Sequence, residues 1–148
     1  MLEDIISTFL VSISPIGESR AGIPFGLVSG LPISWAFLAG LLGNLLVFPI
    51  FNFLINQLDH RLWQFHNYRT ISLWMMRRSK KLIGKHVSRY GFWGLMIFVM
   101  IPLPITGAYM GVIGAKVFRI HTKPAFIAIS IGVTISAGLV TGVSHFIA

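Results

Sequence analysis

The chain is 148 residues long, 55% hydrophobic and only 11% charged, with a mean hydropathy of +0.79 and a formal net charge of +8. That balance excludes a water-soluble domain, in which about a quarter of the residues carry charge, and the lack of cysteine excludes disulfides, thiolate metal sites and thiol catalysis. The expectation is an all-α integral membrane protein whose excess cations meet lipid headgroups rather than nucleic acid, because eight of the twelve Lys and Arg lie between Arg61 and Arg89, beside membrane segments.

The acidic start, Met1-Leu2-Glu3-Asp4, does not read as a cleaved secretory leader, so the N-terminus is expected to stay. Leu2 to Ile13 predicts a helix of roughly 18 Å, too short for a hydrocarbon core of about 30 Å. It ends at Ser14-Pro15-Ile16-Gly17-Glu18-Ser19-Arg20-Ala21-Gly22-Ile23-Pro24, where Pro15 and Pro24 interrupt helical backbone. Ala21 to Gly30 is a second short limb. Two short limbs joined by a break read as a re-entrant hairpin, with a single kinked crossing as the alternative. Glu18 and Arg20 are the only charges between Asp4 and Asp59.

Trp35 to Leu58 is uncharged and long enough to cross, with Ser34 as its N-cap and Trp35 as an interfacial anchor. Asn44 falls near its midpoint, one turn before Pro49. From Asp59 to Arg89, apolar residues from Leu62 to Leu82 recur at three- and four-residue steps among cations. This predicts one or two amphipathic basic helices lying on anionic lipid, with Trp63 and Trp74 at the interface. Tyr90 to Ala115 is cut by Pro102 and Pro104 into two limbs, a second hairpin. Both flanking basic clusters then stay on the cytoplasmic side, as the positive-inside rule favours. Pro124 to Ala148 is the second crossing.

The two halves align weakly. Pro15 matches Pro102, Ser19 matches Thr106, Ala21 matches Ala108, Ala36-Phe37 matches Ala125-Phe126 and Gly43 matches Gly132, with a two-residue slip placed between hairpin and crossing. The expected organisation is one membrane domain over 1–148. Residues 1–58 and 90–148 are inverted repeats of hairpin plus crossing, and 59–89 is a basic cytoplasmic linker. Glycines at four-residue steps (Gly22, Gly26 and Gly30; Gly107 and Gly111) predict close packing of the second limbs.

Glu18-Ser19-Arg20-Ala21-Gly22-Ile23-Pro24, Gly43-Asn44, Arg89-Tyr-Gly-Phe-Trp-Gly94 and Pro102-Leu-Pro104-Ile-Thr106-Gly107-Ala108 resemble the small multidrug export protein family, a remote relative of the DedA membrane proteins. The sequence departs from that pattern at Gly17, where a larger apolar residue is usual, and at Ile105, where glycine is usual. The resemblance implies export of small molecules. Its DedA side implies handling of polyprenyl-phosphate or other lipids by a flippase or scramblase.

A carboxylate at membrane depth must be paired or protonated. Glu18 is therefore expected to carry a proton, with Arg20 holding an anionic solute group or neutralising Glu18. The bland alternative is a Glu–Arg lock that only fixes the hairpin. Asn44, Thr106 and Tyr109 are candidates to line the same cavity, although Asn44 also suits interhelical bonding and Tyr109 core packing. Pro15, Pro24, Pro102, Pro104 and Gly107 form the breaks, and the helix ends near residues 20–24 and 105–109 offer N–H donors to anions. No phosphate loop, nucleophile elbow or metal-spaced histidine pair is present, so neither enzyme activity nor a metal or cofactor is expected. The reading is a multi-pass plasma or inner-membrane transporter, proton-coupled and homodimeric, with a lipid flippase and a non-transporting structural membrane protein as alternatives.

Overall fold

The computed structural model describes residues 1–62, 64–102 and 107–147, and among these the only regular structure is helix, with no strand. The helices are α1 (Leu2–Ile13), α2 (Glu18–Val28), α3 (Ile33–Leu62), α4 (His66–Tyr90), α5 (Phe92–Met100), α6 (Ala108–Val117) and α7 (Thr122–Ile147). Two of them, over Ile33–Leu58 and Thr122–Ile147, are long and apolar enough to cross a membrane. Trp63, Pro104, Ile105 and Thr106 lie outside the described residues.

Short helices pack in pairs against each long one. α1 and α2 lie on each other and on α3; α5 and α6 lie on each other and on α7. The groups then interlock, with α2 against α7, α6 against α3, and α3 against α7. Small residues set the approach. A Cβ placed at Gly43 would stand 2.8 Å from the Phe9 carbonyl oxygen and 3.0 Å from the Ser12 Cβ. One placed at Gly132 would stand 2.8 Å from the Met96 carbonyl oxygen and 3.0 Å from the Val99 Cβ. Helix backbones meet at these points without intervening side chains, the packing that lets apolar helices associate without a water-driven force.

The limbs end alike. After α2, the Leu31 N–H bonds to the Gly26 carbonyl and the Gly30 N–H to the Leu27 carbonyl, with Gly30 at φ +87°. After α6, the Ile120 N–H bonds to the Ala115 carbonyl and the Arg119 N–H to the Lys116 carbonyl, with Arg119 at φ +54°. Both are Schellman closures. Glycine fits the left-handed residue of the first, and Arg119 occupies it at a steric cost in the second.

Several boundaries differ from the expectation. α1 has its expected limits, but α2 starts at Glu18 and runs through Pro24, so only Ser14–Gly17 separates the limbs. Pro24 is thus not a break, because neighbouring helices accommodate proline in apolar segments. α3 begins at Ile33: the Ala36 N–H bonds to the Pro32 carbonyl, which puts Pro32 at the cap and Ser34 inside the first turn. α3 continues through Pro49 to Leu62, and of the one or two basic helices expected after it one is present, His66–Tyr90. Pro124 sits in the first turn of α7, where a missing N–H leaves no bond unmade.

Candidate functional site

Between the paired helices the two interruptions face each other. Glu18 opens α2 at φ +47°, a left-handed conformation that a residue with a side chain adopts only when its surroundings enforce it. Gly17 before it packs against the Val11 carbonyl with no room for a Cβ, which explains why no larger residue stands there. The Ser14 hydroxyl braces the turn, donating to the Val11 carbonyl and accepting from the Gly17 N–H.

So placed, the Glu18 side chain turns away from its own helix. It is 4% exposed, and its carboxylate accepts the backbone N–H groups of Ala108 and Tyr109, the first residues of α6. A negative group at this helix start satisfies orphan donors and meets the positive end of the dipole. Gly107, the residue before α6, lies flush against the carboxylate, and a Cβ there would fall on it. A larger residue there would push the carboxylate off these two N–H groups.

Arg20 does the converse at the other end of the same break. Its Nη2 donates to the Val99 carbonyl at 3.3 Å and the Ile101 carbonyl at 3.1 Å, at the C-terminal end of α5. A cation suits a helix C-terminus as an anion suits an N-terminus. Nη1 is 3.8 Å from Glu18 Oε2, so the ion pair is the looser of its contacts. Tyr109 mirrors this role: its hydroxyl donates to the Ile13 carbonyl, which ends α1. The first interruption therefore caps the helix ends on both sides of the second, and Tyr109 returns the contact at the end of α1.

Asn44 reaches the site through Ser19, donating from Nδ2 to Ser19 Oγ at 2.9 Å, while its Oδ1 is buried with no partner. The structure thus joins Glu18, Arg20, Asn44, Tyr109 and Gly107. Pro15 and Pro102 stand exposed in the two interruptions and touch the chemistry only by ending helices. The N–H donors expected at residues 105–109 for a bound anion belong, at 108 and 109, to Glu18 instead. Tyr109, read from sequence as a candidate cavity hydroxyl that also suits core packing, packs edge-on against Phe51 with a ring-centroid separation of 4.9 Å and uses its hydroxyl as well. Sequence reasoning missed the α5 carbonyls as Arg20's partners, since backbone acceptors leave no residue signature.

A second feature lies apart from this site. A cleft of about 960 Å³ opens between α4, the C-terminal half of α3, the end of α6 and the start of α7. Its floor is apolar and its rim carries Arg77, Lys80, Lys116 and Arg119.

Among known proteins, the family described as "Putative small multi-drug export protein" matches residues 18–139. No curated protein and no solved structure matches the chain.

Proposed function

The chain belongs to the small multidrug export family, and from that premise we propose that it exports a small molecule across the cell membrane by proton-coupled alternating access. In this reading α1–α2 and α5–α6 are re-entrant hairpins, α3 and α7 are the crossings, and residues 1–58 and 90–148 are inverted repeats joined by the basic segment 59–89. Matching contacts at Gly43 and Gly132, matching Schellman closures at Gly30 and Arg119, and reciprocal capping by Arg20 and Tyr109 support the repeat. All three pairs are 89 residues apart, whereas Ser12 and Val99, which meet the two glycines, are 87 apart. The two-residue slip therefore falls in the break itself rather than after the hairpin. Glu18 then corresponds to Gly107, the residue it touches, which puts the carboxylate beside the pseudo-twofold axis.

One observation carries the function: a buried acid, Glu18, holds the two interruptions together. A deprotonated Glu18 attracts both the α6 N-terminus and Arg20, and drawing the breaks together closes the path between them. Protonation removes that attraction and lets the hairpins part, so the proton sets which arrangement is stable. A DedA-like lipid exchanger and a purely structural role remain as rival outcomes of the test. Proteoliposomes loaded with ethidium should lose dye faster under an imposed pH gradient, and Glu18→Gln should abolish the gradient dependence. Coupling that survives Glu18→Gln removes the proton role; gradient-independent flipping of a labelled lipid without dye flux replaces export with lipid exchange.

Topology and assembly follow. The chain has no cysteine, so Ser29→Cys should label from outside and Lys123→Cys only after permeabilisation. Two crossings enclose little on their own, and a homodimer completes this reading; cross-linking in native membranes checks it.

A further inference from the structure

The cleft beneath α4 differs in kind from the Glu18 site. Four of the twelve cations of the chain line it, and no acidic side chain does among the described residues. α4 contributes one stripe, Tyr68, Ser72, Met76 and Lys80 at four-residue steps, with Arg77 beside it. Opposite stand Phe48, Ile55, Val112 and Ala125, a floor with no charge. Met75 and Met76 add flexible apolar walls that adapt to an irregular chain. The basic amphipathic helix is also the roof of a cavity.

Arg119 marks the cleft as more than a packing gap. Its left-handed φ of +54° occupies a position where the matching closure uses Gly30, and glycine would relieve the strain. A charged side chain at such a position puts a cation on the rim of the cleft where glycine would ease the turn. Lys116 is held in place by donating to Asn56 across the cleft wall.

We propose that this cleft binds one anionic phospholipid, its phosphate between Arg77, Lys80 and Arg119 and an acyl chain on the Phe48–Val112 floor. The cations match a phosphate and the floor matches hydrocarbon, so neither a free anion nor a neutral lipid satisfies both. The site is separate from the Glu18 break, and the inference stands whether or not the chain exports solutes.

The test is native mass spectrometry of the detergent-purified full chain titrated with phosphatidylglycerol, phosphatidylcholine or inorganic phosphate. One phosphatidylglycerol should bind preferentially, with Arg119→Gly weakening it about fivefold and Arg77→Gln/Lys80→Gln about thirtyfold, at roughly one surface-cation contribution each. Arg119→Gly keeps the backbone closure, so lost binding cannot be ascribed to misfolding if its melting temperature is unchanged or raised. Ser72→Trp, which fills the cleft without changing charge, should also block binding. Arg69→Gln/Lys81→Gln removes two exposed cations from outside the cleft and should leave binding unchanged. Equal binding of the two lipids, equal losses from the two double variants, or phosphate binding as tightly as the lipid overturns the proposal.

Discussion

The two halves share a packing plan but not a chemistry. At four positions that correspond under the proposed repeat, the first half buries Thr8, Ser12, Ser19 and Asn44, and the second buries Leu95, Val99, Ala108 and Val133. The apolar core is built on the second set, with Val47 and Phe48 added from α3. Polar atoms inside an apolar helix cluster are costly unless bonded, and here Thr8 Oγ1 and Asn44 Oδ1 are buried without a partner. The difference teaches that these four positions carry apolar scaffold in one half and polar groups, on the side of Glu18, in the other, while Ser136 of α7 is a buried unpartnered hydroxyl elsewhere in the second half.

The most severe way to break this arrangement is at the point where the halves touch. Gly107→Ala forces a methyl onto the Glu18 carboxylate and either expels a buried charge or opens α6, so it should cost more than about 3 kcal/mol. Gly138→Ala and Gly142→Ala meet nothing within 4 Å and should be neutral or stabilise α7 by up to about 1 kcal/mol. Thermal melts in detergent compare them; a harmless Gly107→Ala contradicts the seating of Glu18.

The reciprocal caps sharpen the comparison at the next level. Arg20→Ala strips the Val99 and Ile101 carbonyls of a charged donor and leaves Glu18 without its cation, an expected loss of about 2–4 kcal/mol. Tyr109→Phe removes one neutral hydroxyl bond from Ile13 and should cost about 1 kcal/mol. Reversed magnitudes indicate that the second interruption, not the first, governs the joint.

Transplanting the second half's residues tests the division of labour. Ser19→Ala/Asn44→Val removes both partners of a buried hydrogen bond together, so stability should change by less than about 1 kcal/mol. Dye flux should nevertheless fall. Unchanged flux shows that the polar set is interhelical glue and nothing more.

Much of this was legible in the residues. Uncharged runs set α1, α3 and α7 to within a few residues, and Pro15 and Pro102 marked the two interruptions. Pro24 misled because proline chemistry is local whereas its tolerance depends on neighbours, which no single sequence reveals. Glu18 and Arg20 stood out as isolated charges, yet their partners are backbone groups of another segment. The same limit hid the cleft: α4 reads as a surface helix because periodicity reports one apolar face without saying what covers it. The proposed repeat has a sequence trace in Gly43 and Gly132, whereas the likeness of the Gly30 and Arg119 closures rests on backbone hydrogen bonds that no residue pattern announces.

That last pair yields the smallest and most discriminating expectation. Gly30→Ala adds a Cβ at φ +87°, with nothing within 4 Å to obstruct it, so its whole penalty is backbone strain of about 1 kcal/mol. Arg119→Gly releases the same strain but enlarges the freedom of the unfolded chain, leaving a net gain below about 1 kcal/mol. Measured together by thermal melts, the two substitutions should shift stability in opposite directions. If both destabilise, Arg119 contributes folded-state contacts that outweigh its strain. If only Gly30→Ala does, the two closures share one geometry and differ in what the second was given to hold: a cation at the mouth of the cleft, kept at the expense of an easier turn.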